Sequence, residues 1–215
     1  MEGLSLIFLA FIVAICRASH HGGLPLPIHL RSKFHSDDHL NTGISCDSWR
    51  LAVETNNIGY WHGIPVECEN YVGNYMLRDL YGEDSKFVAN LATLYIESLD
   101  LTGDGKDVWV FDIDDTLLSN VPYYAVTGFG AQHYNATLFD RWVDSVKAPA
   151  LPESLELEPS EYGQKAVVFK SHQRKKLEEL GFRIIGNMGD QWSDILGTNV
   201  GNRTFKLPNP MYYIG

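Results

Sequence analysis

Three carboxylates, Asp112, Asp114 and Asp115, follow directly on the apolar run Val108-Trp109-Val110-Phe111, with Thr116 just behind them. The run is short and made of β-branched and aromatic residues, so it reads as a buried strand. Carboxylates at the end of such a strand are costly unless something compensates them. In an open α/β sheet the carboxyl end of a strand is also where ligands bind. A hard cation that prefers oxygen ligands, Mg²⁺, is the compensator that suits this set. An Asp-rich turn that merely capped the next helix would need one carboxylate, not three.

The stretch Asp112-Ile113-Asp114-Asp115-Thr116-Leu117 matches the DxDxT motif of the haloacid dehalogenase superfamily. Four further stretches narrow the match: Cys46-Asp47-Ser48-Trp49-Arg50, Val53-Glu54-Thr55-Asn56-Asn57-Ile58, Gly189-Asp190-Gln191-Trp192-Ser193-Asp194 and Lys206-Leu207-Pro208-Asn209-Pro210. Together they resemble the plant acid phosphatase and vegetative storage protein family, which is similar to the class B acid phosphatases. The resemblance runs from about Cys46 to the C-terminus. It implies an α/β fold, a haloacid dehalogenase-like Rossmannoid sheet with a small helical cap. It also implies hydrolysis of a small phosphomonoester in two steps. Asp112 would attack phosphorus and form an aspartyl-phosphate. Asp114 would protonate the leaving oxygen and then activate water. Mg²⁺ would be held by Asp112, the backbone carbonyl of Asp114 and Asp190, with Asp194 in support. Lys170 would neutralise charge in the transition state. The family also contains storage glycoproteins that need no chemistry, and a homodimer is a further expectation.

The elements that must position these residues are partly legible. Residues 48–55 and 66–80 have helical apolar spacing, with Pro65 at a helix start. Residues 85–99 form the clearest amphipathic pattern, with Phe87, Val88, Leu91, Leu94, Tyr95 and Leu99 on one face. Residues 100–105 imitate an EF-hand loop, but Phe111 stands where the bidentate Glu is needed, so they read as a polar turn. The aromatic-rich stretch 119–148 resembles the superfamily's cap. Residues 150–154 read as the start of a helix. A helix over 169–181 closes at Gly181, a strand follows at 182–187, and 204–207 adds a last short strand.

One part of the resemblance fails. The family's second core strand ends in a Thr or Ser whose hydroxyl binds the transferring phosphate, and a helix and a third strand normally follow. Here only residues 155–169 separate Ser154 from Lys170, and their first half, Leu155-Glu156-Leu157-Glu158-Pro159-Ser160-Glu161, is acidic and broken by proline. A βαβ unit takes about 30 residues or more. The sheet is therefore expected to be incomplete, cut internally near 155–168, with the first strand left unpaired on one side and activity impaired.

Composition bounds the rest. The chain has 215 residues and a formal net charge of −10, enough for one α/β domain and unfavourable for nucleic acid. Residues 4–15 are apolar and too short to span a bilayer comfortably, so 1–18 reads as a signal peptide and the mature chain as free of the membrane. Residues 19–45 read as a loosely ordered leader, leaving 46–215 as the acid phosphatase-like domain. Removing the signal removes Cys16 and leaves Cys46 and Cys68, an even pair in a secretory context, which predicts a disulfide. Asn135-Ala136-Thr137 and Asn202-Arg203-Thr204 are sequons, expected on the surface of an extracellular or vacuolar protein.

Overall fold

The computed structural model describes residues 45–151 and 166–214. The expected signal peptide, all of the leader but Ser45, and most of the stretch around the internal cut lie outside the described residues.

Helix α1 (Cys46–Glu54) starts at Ser45, whose side chain accepts the Ser48 N–H as an N-cap. The single helix expected over 66–80 is instead broken. A 3₁₀ turn, Val66–Cys68, leads into α2 (Glu69–Leu77), and α3 (Asp79–Glu97) begins after an extended Arg78. The break lets Tyr75 and Tyr81 meet edge-to-face at 6.0 Å in one core, which a continuous helix would not allow. That core contains the Cys46–Cys68 disulfide, as expected, with Trp49, Val53, Val72 and Met211 around it.

The sheet is parallel, with β1 (Asp107–Phe111) paired to a central β2 (Arg183–Gly189) and β2 to β3 (Thr204–Lys206). β2 is buried along most of its length, whereas β1 is only half-buried and Phe111 is 37% exposed. The expectation of a buried first strand is corrected here. Among the described residues β1 has a partner on one side only, so its outer edge has no cover.

α3 lies across this sheet through Val88, Ala92 and Tyr95, which meet Trp109, Met188, Phe205 and Leu207. The face expected from sequence is therefore too wide: Phe87 and Leu94 are more than 60% exposed. Trp109 stacks on Phe205 at 5.5 Å. The indole lies flat over Gly186, where a Cβ would come within 2.3 Å of the ring. The stretch after β1 forms α4 (Val121–Val126) and α5 (Ala136–Asp144), the two helices of the aromatic excursion. Helix α6 (Ala166–Glu179) precedes β2 and ends as expected at Gly181, which takes φ +85°. A four-residue helix, α7 (Trp192–Ile195), follows β2. Residues 100–105 are the expected polar turn, tied to the sheet by Arg183, which ion-pairs with Asp104 and Asp107. Ala150 bridges antiparallel to Leu118 rather than entering a helix, and the remainder of that expected helix lies outside the described residues.

Candidate active site

The site sits at the carboxyl ends of β1 and β2, where two acidic turns face each other. The Asp112 N–H donates to the Met188 carbonyl at 2.9 Å, so the ladder fixes Asp112 at the strand's last rung. The chain then folds tightly back, with the Leu117 and Leu118 N–H groups both donating to the Ile113 carbonyl and Asp115 at φ +52°. A left-handed non-glycine residue is costly, and Asp is among the types that tolerate it. On the other side, Asp190 follows β2 directly. Asp194 lies on α7, its carboxylate capping the Gln191 N–H at 2.8 Å. Gly189 permits this closeness: a Cβ there would stand 2.3 Å from the Asp194 carboxylate.

Carboxylate oxygens of Asp112, Asp190 and Asp194 lie within 4.8 Å of one another. Lys170, from the first half of α6, donates to Asp112 Oδ1 at 2.6 Å and to the Asp194 carboxylate. Burial would pull the Lys170 ammonium down, but Asp112 and Asp194 outweigh it and hold it above its ordinary value. Asp190 is fully buried, and burial together with Asp194, Asp112 and Asp115 pushes it well above the usual carboxylate range. Asp194 is pushed up to about 6, by burial first and Asp112 second, despite Lys170.

This donor set fits a hard divalent cation. Three carboxylates converge, two of them are buried, and the one cationic side chain among them does not bring Asp190 or Asp194 back to ordinary acidity. All four sequence-expected acids and Lys170 fall in one region, but Asp114 differs from the others. It is not one of the three converging carboxylates, and its side chain accepts Asn120 Nδ2 at 2.9 Å. Although Asp114 is exposed, desolvation by the surrounding protein, with Asp112 adding, shifts its pKa upward, the direction a proton donor requires. Asn120 is itself held by the Trp142 indole N–H at 2.8 Å, so α5 helps to set the angle of Asp114. Asp114 lines a cavity of about 400 Å³ whose walls include Trp61, Tyr123, Tyr124, Tyr134 and Phe139.

Several site residues have no signal in a single sequence. Arg174 is 2% exposed and donates to the carbonyls of Asp194, Leu196 and Thr198, fixing the turn that carries Asp194. In the sequence it is one of four cations in a helix that looks like a solvated face. Asn187 adds a second bond to the Asp194 carbonyl at 2.8 Å.

Comparison with known proteins settles the family. Residues 30–160 and 157–215 match the acid phosphatases of the HAD superfamily, subfamily IIIB. The chain belongs to that family. It is 38% identical to "Acid phosphatase 1" of Solanum lycopersicum, across 84% of this chain and 88% of that one. It is 35% identical to "Vegetative storage protein 2" of Arabidopsis thaliana, across 79% and 80%. Among solved structures it is similar in fold to the class C acid phosphatase from Bacillus anthracis, with a TM-score of 0.51 and 17% identity over 69% of this chain and 86% of that one. The acid phosphatase fold and the α/β class expected from the motifs are therefore those of this chain. The tomato alignment spans 223 positions yet takes in only 84% of a 215-residue chain. About 40 positions thus face no residue here, more than the roughly 30 that a βαβ unit needs.

Proposed function

We propose that this chain is a metal-dependent phosphomonoester hydrolase whose turnover is impaired. The observation that carries the reading is the convergence of Asp112, Asp190, Asp194 and Lys170 at the ends of two parallel strands. An oxygen of Asp112 attacks phosphorus and the phosphorus–leaving oxygen bond breaks. The proton on Asp114 passes to the leaving oxygen. In the second step Asp114, now a carboxylate, takes a proton from water as the water attacks phosphorus, which frees Asp112 and releases phosphate. Lys170 offsets the charge that gathers on the phosphoryl oxygens. Asp112, Asp190 and Asp194, with the Asp114 carbonyl, would hold Mg²⁺, which when bound shields the anionic phosphate from the attacking carboxylate. The aromatic cavity beside Asp114 takes the leaving group, favouring esters with a flat apolar portion.

Impairment follows from the lost segment. The family's second motif supplies a hydroxyl to the phosphate, and loss of one preorganised donor costs roughly 3–4 kcal/mol, or a hundredfold to a thousandfold in rate. The edge of β1, unpaired among the described residues, and the unmatched alignment positions support that reading. The proposed organisation is a signal peptide at 1–18, a leader at 19–45 and a shortened domain at 46–215. Delivery through the secretory pathway, outside the cell or to the vacuole, is supported by the disulfide and by the exposure of Asn135 and Asn202. Asn135 caps α5 through its side-chain oxygen, which leaves its nitrogen free for a glycan.

A second reading, a storage glycoprotein without chemistry, is favoured by the relatives named as vegetative storage proteins and stem glycoproteins. Hydrolysis of a chromogenic aryl phosphate at acidic pH, with Mg²⁺ and with chelator, separates the two. Slow Mg²⁺-dependent turnover, absent in Asp112→Asn, supports the enzyme. No turnover from a cooperatively folded chain supports storage.

A further inference from the structure

The segment after β3 enters the site from behind, and the stretch Lys206-Leu207-Pro208-Asn209-Pro210 has no role in the chemistry above. Its side chains meet two carboxylates, each 0% exposed, Asp115 in the turn after β1 and Asp190 after β2. Asn209 Nδ2 donates to Asp190 Oδ2 at 2.7 Å and lies 3.4 Å from Asp115 Oδ2. The Tyr212 hydroxyl donates to Asp115 Oδ2 at 2.9 Å and lies 3.3 Å from Asp190 Oδ2. Asn209 is 3% exposed, and its own oxygen accepts the Met211 N–H at 2.9 Å, which fixes the amide's orientation.

The two oxygens of Asp190 are treated unequally. Oδ2 receives Gln191 Nε2 at 2.8 Å and Asn209 Nδ2 at 2.7 Å, with the Tyr212 hydroxyl close by. Among the described residues Oδ1 receives only the Thr116 hydroxyl, at 3.4 Å. One oxygen is saturated by donors and the other is left for a cation. Asp115 is anchored separately, with the Asn120 N–H on its Oδ1 at 2.8 Å.

We propose that Asn209 and Tyr212 are positioning residues that brace the two acidic turns against each other and present Asp190 Oδ1 to the divalent cation. The inference rests on the metal-dependent reading above. Groups that orient a metal ligand typically contribute 10–100-fold in affinity.

The test is Mg²⁺ titration by calorimetry on the purified mature chain, beside Tyr212→Phe, Asn209→Ala and, as a remote control, Tyr75→Phe. Tyr75 bonds Asp84 at 2.8 Å and lies outside the site. Tyr212→Phe keeps the ring and its stacking on Tyr124, so it carries the test even where Asn209→Ala fails to fold. The expected result is Mg²⁺ affinity about tenfold weaker in Tyr212→Phe and Asn209→Ala, with Tyr75→Phe unchanged in affinity though less stable. Wild-type binding retained within twofold by folded Tyr212→Phe overturns the inference alone. Absence of binding in the wild-type chain overturns the metal reading and the inference together.

Discussion

Without a divalent cation this protein should be more stable at pH 4.5 than at pH 7.5, the reverse of the usual behaviour of paired carboxylates. The perturbation is pH alone, in chelator. A carboxyl whose folded-state pKa exceeds its unfolded one holds its proton more tightly when folded. It stabilises the fold below about pH 4, and that stabilisation is lost as pH rises through the folded pKa. Asp194, buried and facing Asp112, is pushed from the ordinary range to about 6. Two units at 1.36 kcal/mol each give about 3 kcal/mol lost between roughly pH 4 and 7. Asp115, pushed to about 7 chiefly by burial, acts in the same direction. The two share neighbours, so their contributions do not simply add, and about 3 kcal/mol is taken for the site. Exposed Asp104 and half-buried Asp107 are held below the carboxylate range by Arg183, and their pairing weakens only at more acid pH. For a domain of this size each kcal/mol moves Tm by about 2–4 °C, so Tm should fall by about 6–12 °C from pH 4.5 to 7.5. Saturating Mg²⁺ should restore most of the loss at pH 7.5. Thermal scans at both pH values, with chelator and with Mg²⁺, measure this. A chelated Tm that is higher at pH 7.5, or that Mg²⁺ does not move, refutes the reasoning.

Three other outcomes are expected. Replacing Cys46 and Cys68 together by Ala should cost about 3 kcal/mol, from the loop entropy of a 22-residue separation, read by urea denaturation of the oxidised and variant chains. Arg174→Met should cost roughly 2–4 kcal/mol by leaving the Asp194, Leu196 and Thr198 carbonyls without their donor, and should weaken Mg²⁺ binding as the turn loosens. Phe87→Glu with Leu94→Lys, on the exposed stripe of α3, should change stability by less than about 1 kcal/mol while lowering dye binding and concentration-dependent self-association by light scattering.

The carboxylate cluster was legible because motif residues carry their own chemistry. Three acids after an apolar strand demand a compensating cation whatever the rest of the chain does, and the Gly189-Asp190 turn lies at the end of the next strand. The stop of α6 at Gly181 was legible for local reasons, since a left-handed C-cap is read from neighbouring residues alone, whereas its start lies three residues earlier than expected. The buried face of α3 was legible only in part. The expected face was too wide: Val88 and Tyr95 do pack on the sheet, with Ala92, but Phe87, Leu91 and Leu94 are as apolar and stay exposed, so periodicity alone could not choose between adjacent stripes; the sheet decides, through Trp109 and Phe205. The Arg78 break was hidden for a related reason, because it answers to Tyr75 and Tyr81, six residues apart, meeting in space. Arg174 and Tyr212 were missed, and Asn209 was singled out only as part of a matching stretch with no role, because their meaning lies in carbonyls and carboxylates from distant parts of the chain. The half-buried state of β1 was the consequence expected of a shortened chain, although the apolar run itself suggested a buried strand.

The central claim, that Asp112 is the nucleophile, is tested most directly by capturing phosphate on it. A chromogenic aryl phosphate has a leaving group that needs little protonation, so Asp114→Asn should still allow the first step while slowing the second, in which Asp114 must activate water. After incubation with the ester and Mg²⁺ and an acid quench, mass spectrometry of the peptide that contains Asp112 should find a phosphoryl group on that residue, more in Asp114→Asn than in the wild-type chain. Turnover with no phosphate on that peptide, or phosphate on another residue, would contradict the account.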